Sequence, residues 1–315
     1  MSFSSCAKDE LVKIKLKTGE EKLAALCALT NTAGSLTMGR SDRVGVQFSS
    51  ESFSVGKYIA QLAGSLYRVD ASISVREHKR LNARSALVRL SGGDTLKLLL
   101  DIGALIAQNG VLSFGDSVPE NLLKSDSARR AFLRGAFLGA GSVSDPSHGY
   151  HLEIVCRRES FADTVCSLMC EQGMNAKTML RKNSFVIYLK DGEMISDFLA
   201  FISASGTTLE LENVRVEKSL RNYLNRTNNC EMANVQKTIR AAVSQIAGIQ
   251  LIRKERGLES LPPPLRQVAE ARLNNPDASL EMLADLLGIG KSGVNHRLLK
   301  LMKIAQEINI ERGGV

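Results

Sequence analysis

The sequence predicts an α+β fold in two parts, a duplicated domain of mixed helices and strands followed by an all-α segment. Three observations predict it. Short stretches of the first hundred residues recur in the same order in the second hundred. Across residues 1–218, alternating apolar runs that mark strands are interleaved with 3.6-residue spacing that marks helices. After Asn213 the alternation stops and only helical spacing remains.

The repeat comes first because it organises the rest. Glu51-Ser52-Phe53 returns as Glu159-Ser160-Phe161, an offset of 108. Ala33-Gly34-Ser35 matches Ala140-Gly141-Ser142 at an offset of 107, and Leu90, Gly93 and Leu96 match Leu189, Gly192 and Ile195 at 99. The two units are expected at about 8–110 and 125–215. Each opens with a helix rich in small residues, at Leu23–Ala33 and Ala131–Ala140. A strand follows (Val44–Phe48; His151–Val155), then a helix (Phe53–Tyr67; Phe161–Gln172). A basic hairpin comes next (Ser72–Arg76 with Ala86–Leu90; Lys177–Leu180 with Phe185–Leu189). An amphipathic helix closes each unit (Thr95–Ile106; Glu193–Ile202).

The opening helices carry the most specific pattern. Ala28 and Thr32 in one, and Gly135 and Gly139 in the other, place small residues at i and i+4. That spacing clears a flat stripe, so two such helices can pack backbone against backbone. Gly34 and Gly141 are expected to end the helices as C-caps. The stretches Leu26–Ser35 and Leu133–Ser142 resemble the LAGLIDADG motif of homing endonucleases. In that motif the residue before the terminal glycine is acidic, and the pair holds the divalent metals that activate water. Here both positions are alanine, Ala33 and Ala140, so no catalytic residue, metal or cofactor is expected. Asp42 and Asp145 lie downstream, on loops. The resemblance further implies that the strands form a saddle over a duplex. Arg76, Lys79, Arg80, Arg84 and Arg89, with Lys177, Arg181 and Lys182, suit phosphate contact there. A solvated charged face explains the same residues equally well.

The C-terminal part begins with a polar stretch, 219–234, that reads as a linker. Asn234 is placed to cap a helix whose stripe is Val235, Ile239, Ala242, Val243, Ile246 and Ile249. Pro262-Pro263-Pro264 breaks the chain and starts a further helix running to Leu273. Ser279 then caps a short helix in which Ala284 is small where two helices cross. Gly288 supplies a positive-φ turn, and Ile289 plugs the corner. Val294, Leu298 and Leu301 give the second helix its buried face, and Lys291, Ser292, Asn295, His296 and Lys300 lie opposite. This is the pattern of a DNA-reading helix-turn-helix over residues 235–306, with 307–315 as a flexible tail. Asn295 suits bidentate pairing with adenine, His296 donation to guanine, and Lys300 a phosphate.

Charge agrees with a polyanionic partner. The net charge is +8 at a pI near 9.2. Residues 215–315 hold 16 Lys and Arg against 10 Asp and Glu, a net of +6, whereas residues 1–214 hold 25 against 23, a net of +2. No apolar run approaches the roughly 18–20 residues that span a bilayer. The N-terminus has no charged region followed by an apolar core. The six cysteines form no CxxC pair, and an alternating strand splits His148 and Cys156 from His151. A cytoplasmic, nucleoid-associated protein with double-stranded DNA as partner is expected, with no membrane contact.

Taken together, the chain resembles the WhiA family of Gram-positive bacteria. The resemblance includes Arg134–Leu138, Tyr150-His151-Leu152-Glu153, Asn225–Asn234 and Ser292–Leu298. It implies a helix-turn-helix like region 4 of sigma factors. It also implies transcription regulation linked to sporulation, cell division and chromosome segregation, with the transcription machinery or another regulator as a further partner. The alternatives are a nucleoid-structuring protein with little sequence preference, and an active homing endonuclease, which would need acids where Ala33 and Ala140 stand.

Overall fold

The computed structural model describes residues 2–38, 44–78 and 83–313. They form two compact units, Met1–Lys218 and Ser219–Val315.

The first unit opens with α1 (Phe3–Leu11), capped by Ser2 and burying Phe3, Ala7 and Leu11 along one stripe. The first copy then runs α2 (Gly19–Ala33), β1 (Gly34–Met38), β2 (Val44–Ser50), α3 (Phe53–Gly64), β3 (Asp70–His78), β4 (Ala83–Ser91) and α4 (Thr95–Asp101). A hairpin of β5 (Leu105–Gln108) and β6 (Val111–Phe114) follows. The second copy is α5 (Asp126–Ala140), β7 (Gly141–Val143), β8 (Leu152–Cys156), α6 (Glu159–Glu171), β9 (Lys177–Arg181), β10 (Ser184–Leu189) and α7 (Gly192–Phe201). The two sheets have the same strand order, β1-β2-β4-β3 and β7-β8-β10-β9. Phe48 faces Val88 in one register and Ile154 faces Ile187 in the other, all four fully buried. The duplication read from the repeat is therefore present in the topology.

The helices α2 and α5 pack against each other at the small residues. Thr18 caps α2 and Glu21 ties down the chain before it: the Glu21 N–H donates to Thr18 Oγ1 at 3.1 Å, and the Lys17 N–H to Glu21 Oε2 at 2.7 Å. A Cβ added at Gly135 would lie 2.6 Å from the Ala25 carbonyl oxygen, and one at Gly139 would collide with Thr32 Oγ1. Only glycine allows this approach.

Gly34 and Gly141 end their helices as expected, with φ of −87° and −80°. Their reason is steric: a Cβ would sit 2.5 Å from Thr30 O at Gly34, and 2.6 Å from Phe137 O at Gly141. The helix expected over Thr95–Ile106 stops at Asp101, because Gly103 takes φ +70° and the chain turns into β5. Residues 219–234 are not an irregular linker: they lie inside α8 (Ser205–Glu255), with every side chain exposed. Their polarity reflects solvation on all sides rather than absence of helix. Asn234 accordingly caps nothing. Of the stripe expected from Val235 to Ile249, Val235, Ile239 and Val243 are exposed and burial begins only at Ile249 and Ile252.

The second unit completes with α9 (Pro263–Asn274), α10 (Leu280–Leu287) and α11 (Lys291–Glu311) around Ile249, Ile252, Leu265, Val268, Leu283, Val294, Leu298 and Leu301. The last helix covers residues 307–311, expected as tail, because Ile308 is buried on its core face.

Candidate nucleic-acid interface

The corner between α10 and α11 follows from four residues. Ser279 Oγ accepts the Met282 N–H at 3.1 Å and starts α10. Gly288, at φ 62° and ψ 30°, ends it. The Ile289 N–H then donates to Ala284 O at 3.1 Å and the Gly288 N–H to Asp285 O at 3.3 Å. This is the Schellman arrangement, which only a residue content with positive φ closes cheaply. Ile289 is half-buried against the core of the unit. The extended Gly290 starts α11, with the Val294 N–H donating to Gly290 O at 3.1 Å.

Along α11, Val294, Leu298, Leu301, Ala305 and Ile308 are buried. Lys291, Ser292, Asn295, His296 and Lys300 are all exposed. Ser292, His296 and Lys300 make one i,i+4 row, and Lys291 and Asn295 make a second beside it. The structure thus brings all five expected residues onto one surface. The Gly293 N–H donates to Gly290 O at 2.8 Å, and helix geometry leaves the Lys291 and Ser292 amides of the first turn to face anions. Lys291 Nζ lies 3.8 Å from Glu281 Oε2, but both side chains are largely solvated and the pair holds neither firmly.

The basic strands of the first unit are arranged differently. The core side of the first sheet carries Val46, Phe48, Val88 and Leu90, so the paired residues Gln47, Arg89 and Ser72 share the outer side with Arg76. Arg89 Nε donates to Gln47 Oε1 at 3.0 Å. In the second sheet Glu153 accepts from Arg181 at 3.2 Å and also lies 3.5 Å from His151, which neutralises part of that face. Arg76 and Lys182 are exposed, Lys182 in the left-handed turn of its hairpin at φ 56°. Lys79, Arg80, the Arg84 side chain and Asp42 lie outside the described residues.

At the ends of the paired helices, Ala33 and Ala140 are half-buried, with no oxygen to offer. Basic groups stand close by instead. Arg158 donates to Asn31 Oδ1 on the last turn of α2 and to Gly115 O. Lys8 lies with Ala140 and Gly141 on the wall of a hollow at the end of α5, and burial pushes its pKa down. Asp145 stays on its loop, exposed, with its carboxyl held below the usual range by the hydroxyl and amide of Ser147. Among the described residues no group of three or more His, Cys, Asp or Glu is placed to hold a metal ion.

One buried charge escaped sequence reading. Leu265, Val268, Ala269 and Arg272 occupy one face of α9, and Arg272 is only 2 % exposed. Its helical register with three apolar residues was the available signal.

Comparison with known proteins agrees with this architecture. The family described as the WhiA LAGLIDADG-like domain matches residues 129–221, and that described as the WhiA C-terminal HTH domain matches residues 224–305. The probable cell division protein WhiA of Clostridium novyi is 41% identical over 315 residues, covering 99% of both chains. That of Clostridium tetani is 38% identical over the same length and coverage. The crystal structure of full-length WhiA from Thermotoga maritima superposes with a TM-score of 0.61 at 26% identity, covering 98% of this chain and 99% of that one. With both domains matched and relatives aligned end to end, the chain belongs to the WhiA family.

Proposed function

We propose that this protein is a sequence-specific, double-stranded DNA-binding transcription regulator that acts through α10 and α11 and cleaves nothing. The carrying observation is the exposed polar surface of α11, set at an angle to α10 by the Gly288 corner. Asn295 offers a donor and an acceptor to a base edge, and His296 a ring nitrogen. Lys291, Ser292 and the first-turn amides meet phosphate or base, and Lys300 meets phosphate. Relatives named as cell division proteins support a role in that process. We extend the role to sporulation and chromosome segregation, and the partners to the transcription machinery. Action on the nucleoid, in the cytoplasm, follows from the same reading.

Absence of nuclease activity rests on charge. A metal-dependent nuclease needs anionic oxygens at both helix ends to hold its cations. Here alanines occupy those positions, and Arg158 brings a guanidinium to Asn31 on the last turn of α2. The basic residues of the first unit, Arg76, Arg181 and Lys182 with Lys79, Arg80 and Arg84, serve at most to position the duplex backbone.

The test is selection of duplexes from a random pool by the full chain, followed by incubation of the selected duplex with magnesium or manganese. A defined motif that Asn295→Ala loses, recovered uncut, is the expected result. Enrichment without a motif would make the protein a nucleoid-structuring one. Cleavage that disappears on changing Asp42 or Asp145 would reveal a relocated metal centre.

A further inference from the structure

Among the described residues, a buried cation in the second unit lacks a counter-ion. Arg272 is 2 % exposed, its Nη1 donates to Ala278 O at 2.6 Å, and its Nε has no partner among the described residues. Burial lowers its pKa and no neighbouring carboxylate raises it again. Leaving a charge so placed unpaired is costly, and each such group calls for an explanation. A second orphan belongs to the same cavity: Gln245 Oε1 is buried and accepts nothing from the described residues.

Both residues line a hollow of about 310 Å³, within the usual range for small-molecule sites. Lys237 and Thr238 from α8 and Lys291 and Asn295 from α11 line it too. Glu281 is the one carboxylate on its wall, and it lies within reach of Lys291. Three cations against one carboxylate make the hollow attractive to an anion. Gln245 adds a requirement, because an amide oxygen needs a donor. A phosphate monoester or inorganic phosphate has its second pKa at about 6 or a little above, and so keeps a hydroxyl proton in its monoanion, which dominates at mildly acid pH. A phosphodiester has none to give.

We propose that this hollow binds a small molecule bearing a phosphate monoester, or inorganic phosphate itself. Arg272 supplies the buried charge, Lys237 and Lys291 supply charge at the entrance, and Gln245 accepts the phosphate hydroxyl. Lys291 and Asn295 also belong to the surface proposed to read DNA, so an occupied hollow competes with the duplex. The site stands on its own chemistry, and only this competition rests on the functional reading above.

The experiment follows the Nε–H resonance of Arg272 in the ¹⁵N-labelled full chain during titration with inorganic phosphate, methyl phosphate and dimethyl phosphate. Phosphate and methyl phosphate are expected to shift it saturably, and dimethyl phosphate to act about tenfold more weakly. Lys237→Gln, on an exposed side chain, should weaken phosphate about tenfold without altering the fold. Phosphate should also weaken the selected duplex in the wild-type chain, and much less in Lys237→Gln. No saturable shift with phosphate or methyl phosphate overturns the proposal, as a buried water joining Arg272 and Gln245 would produce. A shift driven by the duplex alone, and lost when one backbone phosphate is made a neutral methylphosphonate, overturns it in favour of the DNA backbone. If Asn295→Ala abolishes duplex binding while Arg272 stays silent, the anion site fails and the DNA reading stands. A saturable shift in a chain that binds no duplex means the reverse.

Discussion

Replacing Gly135 by alanine tests the packing on which the first unit depends. In an exposed helix this change would add stability, by about 1 kcal/mol of helix propensity. Here the new Cβ would lie 2.6 Å from the Ala25 carbonyl oxygen and 3.1 Å from Ala28 Cβ, on the facing helix. The obstructing oxygen belongs to backbone, which no rotamer change removes, so the helices must separate. Overpacking costs about 1–3 kcal/mol, and an obstruction by backbone puts this case at about 2–3, leaving a net loss of about 1–2 kcal/mol after the propensity gain. For a unit of this size that is about 2–8 °C in the melting midpoint. Gly64, at the end of α3, is the control, because a Cβ there meets nothing within 4 Å. Gly64→Ala should gain about 0.5 kcal/mol. Near-ultraviolet circular dichroism of the full chain reads the correct unit, since Tyr58, Tyr67, Tyr150 and Tyr188 lie within it and only Tyr223 outside. A Gly135→Ala protein as stable as the wild type would refute the close approach of the two helices.

Four further outcomes follow. Arg134, 5 % exposed, donates from Nε to Ile202 O at 2.9 Å and from Nη2 to Ser203 Oγ at 3.4 Å, closing the end of α7; Arg134→Met should cost about 2 kcal/mol in urea unfolding. Gly288→Ala forces a Cβ into the left-handed region and should destabilise the second unit by about 1–2 kcal/mol, with Gly288→Asn losing less, by calorimetry. Burial pushes the Cys27 thiol up to about 12 and Cys156 up to about 11, from 9.0. Their folded values are raised, so the stability they contribute is whole below 9.0 and is lost as pH rises through the folded values. Denaturation across that alkaline range should show the fall, and Cys27→Ala should reduce it. At neutral pH a thiol reagent should label exposed Cys6, Cys170 and Cys230 before Cys27.

The duplication was legible because its signals are local: the small residues at Gly135 and Gly139 and the alternating strands all record contacts in their spacing. The same holds for the α10–α11 corner, where Ala284, Gly288, Ile289 and Val294 each meet a separate steric demand. What escaped reading depends on context. Residues 219–234 look like a linker because sequence records polarity, and a helix exposed all round is polar everywhere. Gly34 and Gly141 were legible as helix ends but the reason for glycine was not, because glycine serves two ends, positive φ and lack of a Cβ. Only the distances to Thr30 and Phe137 separate them. Arg272 was hidden by its type, since an arginine at a core register reads as surface until the neighbours on α8 and α11 close over it.

The central claim is that α11 reads bases, and a salt titration of Asn295→Ala and Lys300→Ala on selected and scrambled duplexes tests it most directly. Asn295→Ala should lose about 1–3 kcal/mol on the selected duplex and little on the scrambled one. Lys300→Ala should weaken both alike and reduce the salt slope by about one. Equal losses on both duplexes for Asn295→Ala would contradict the account, because a residue that costs every sequence the same reads none of them.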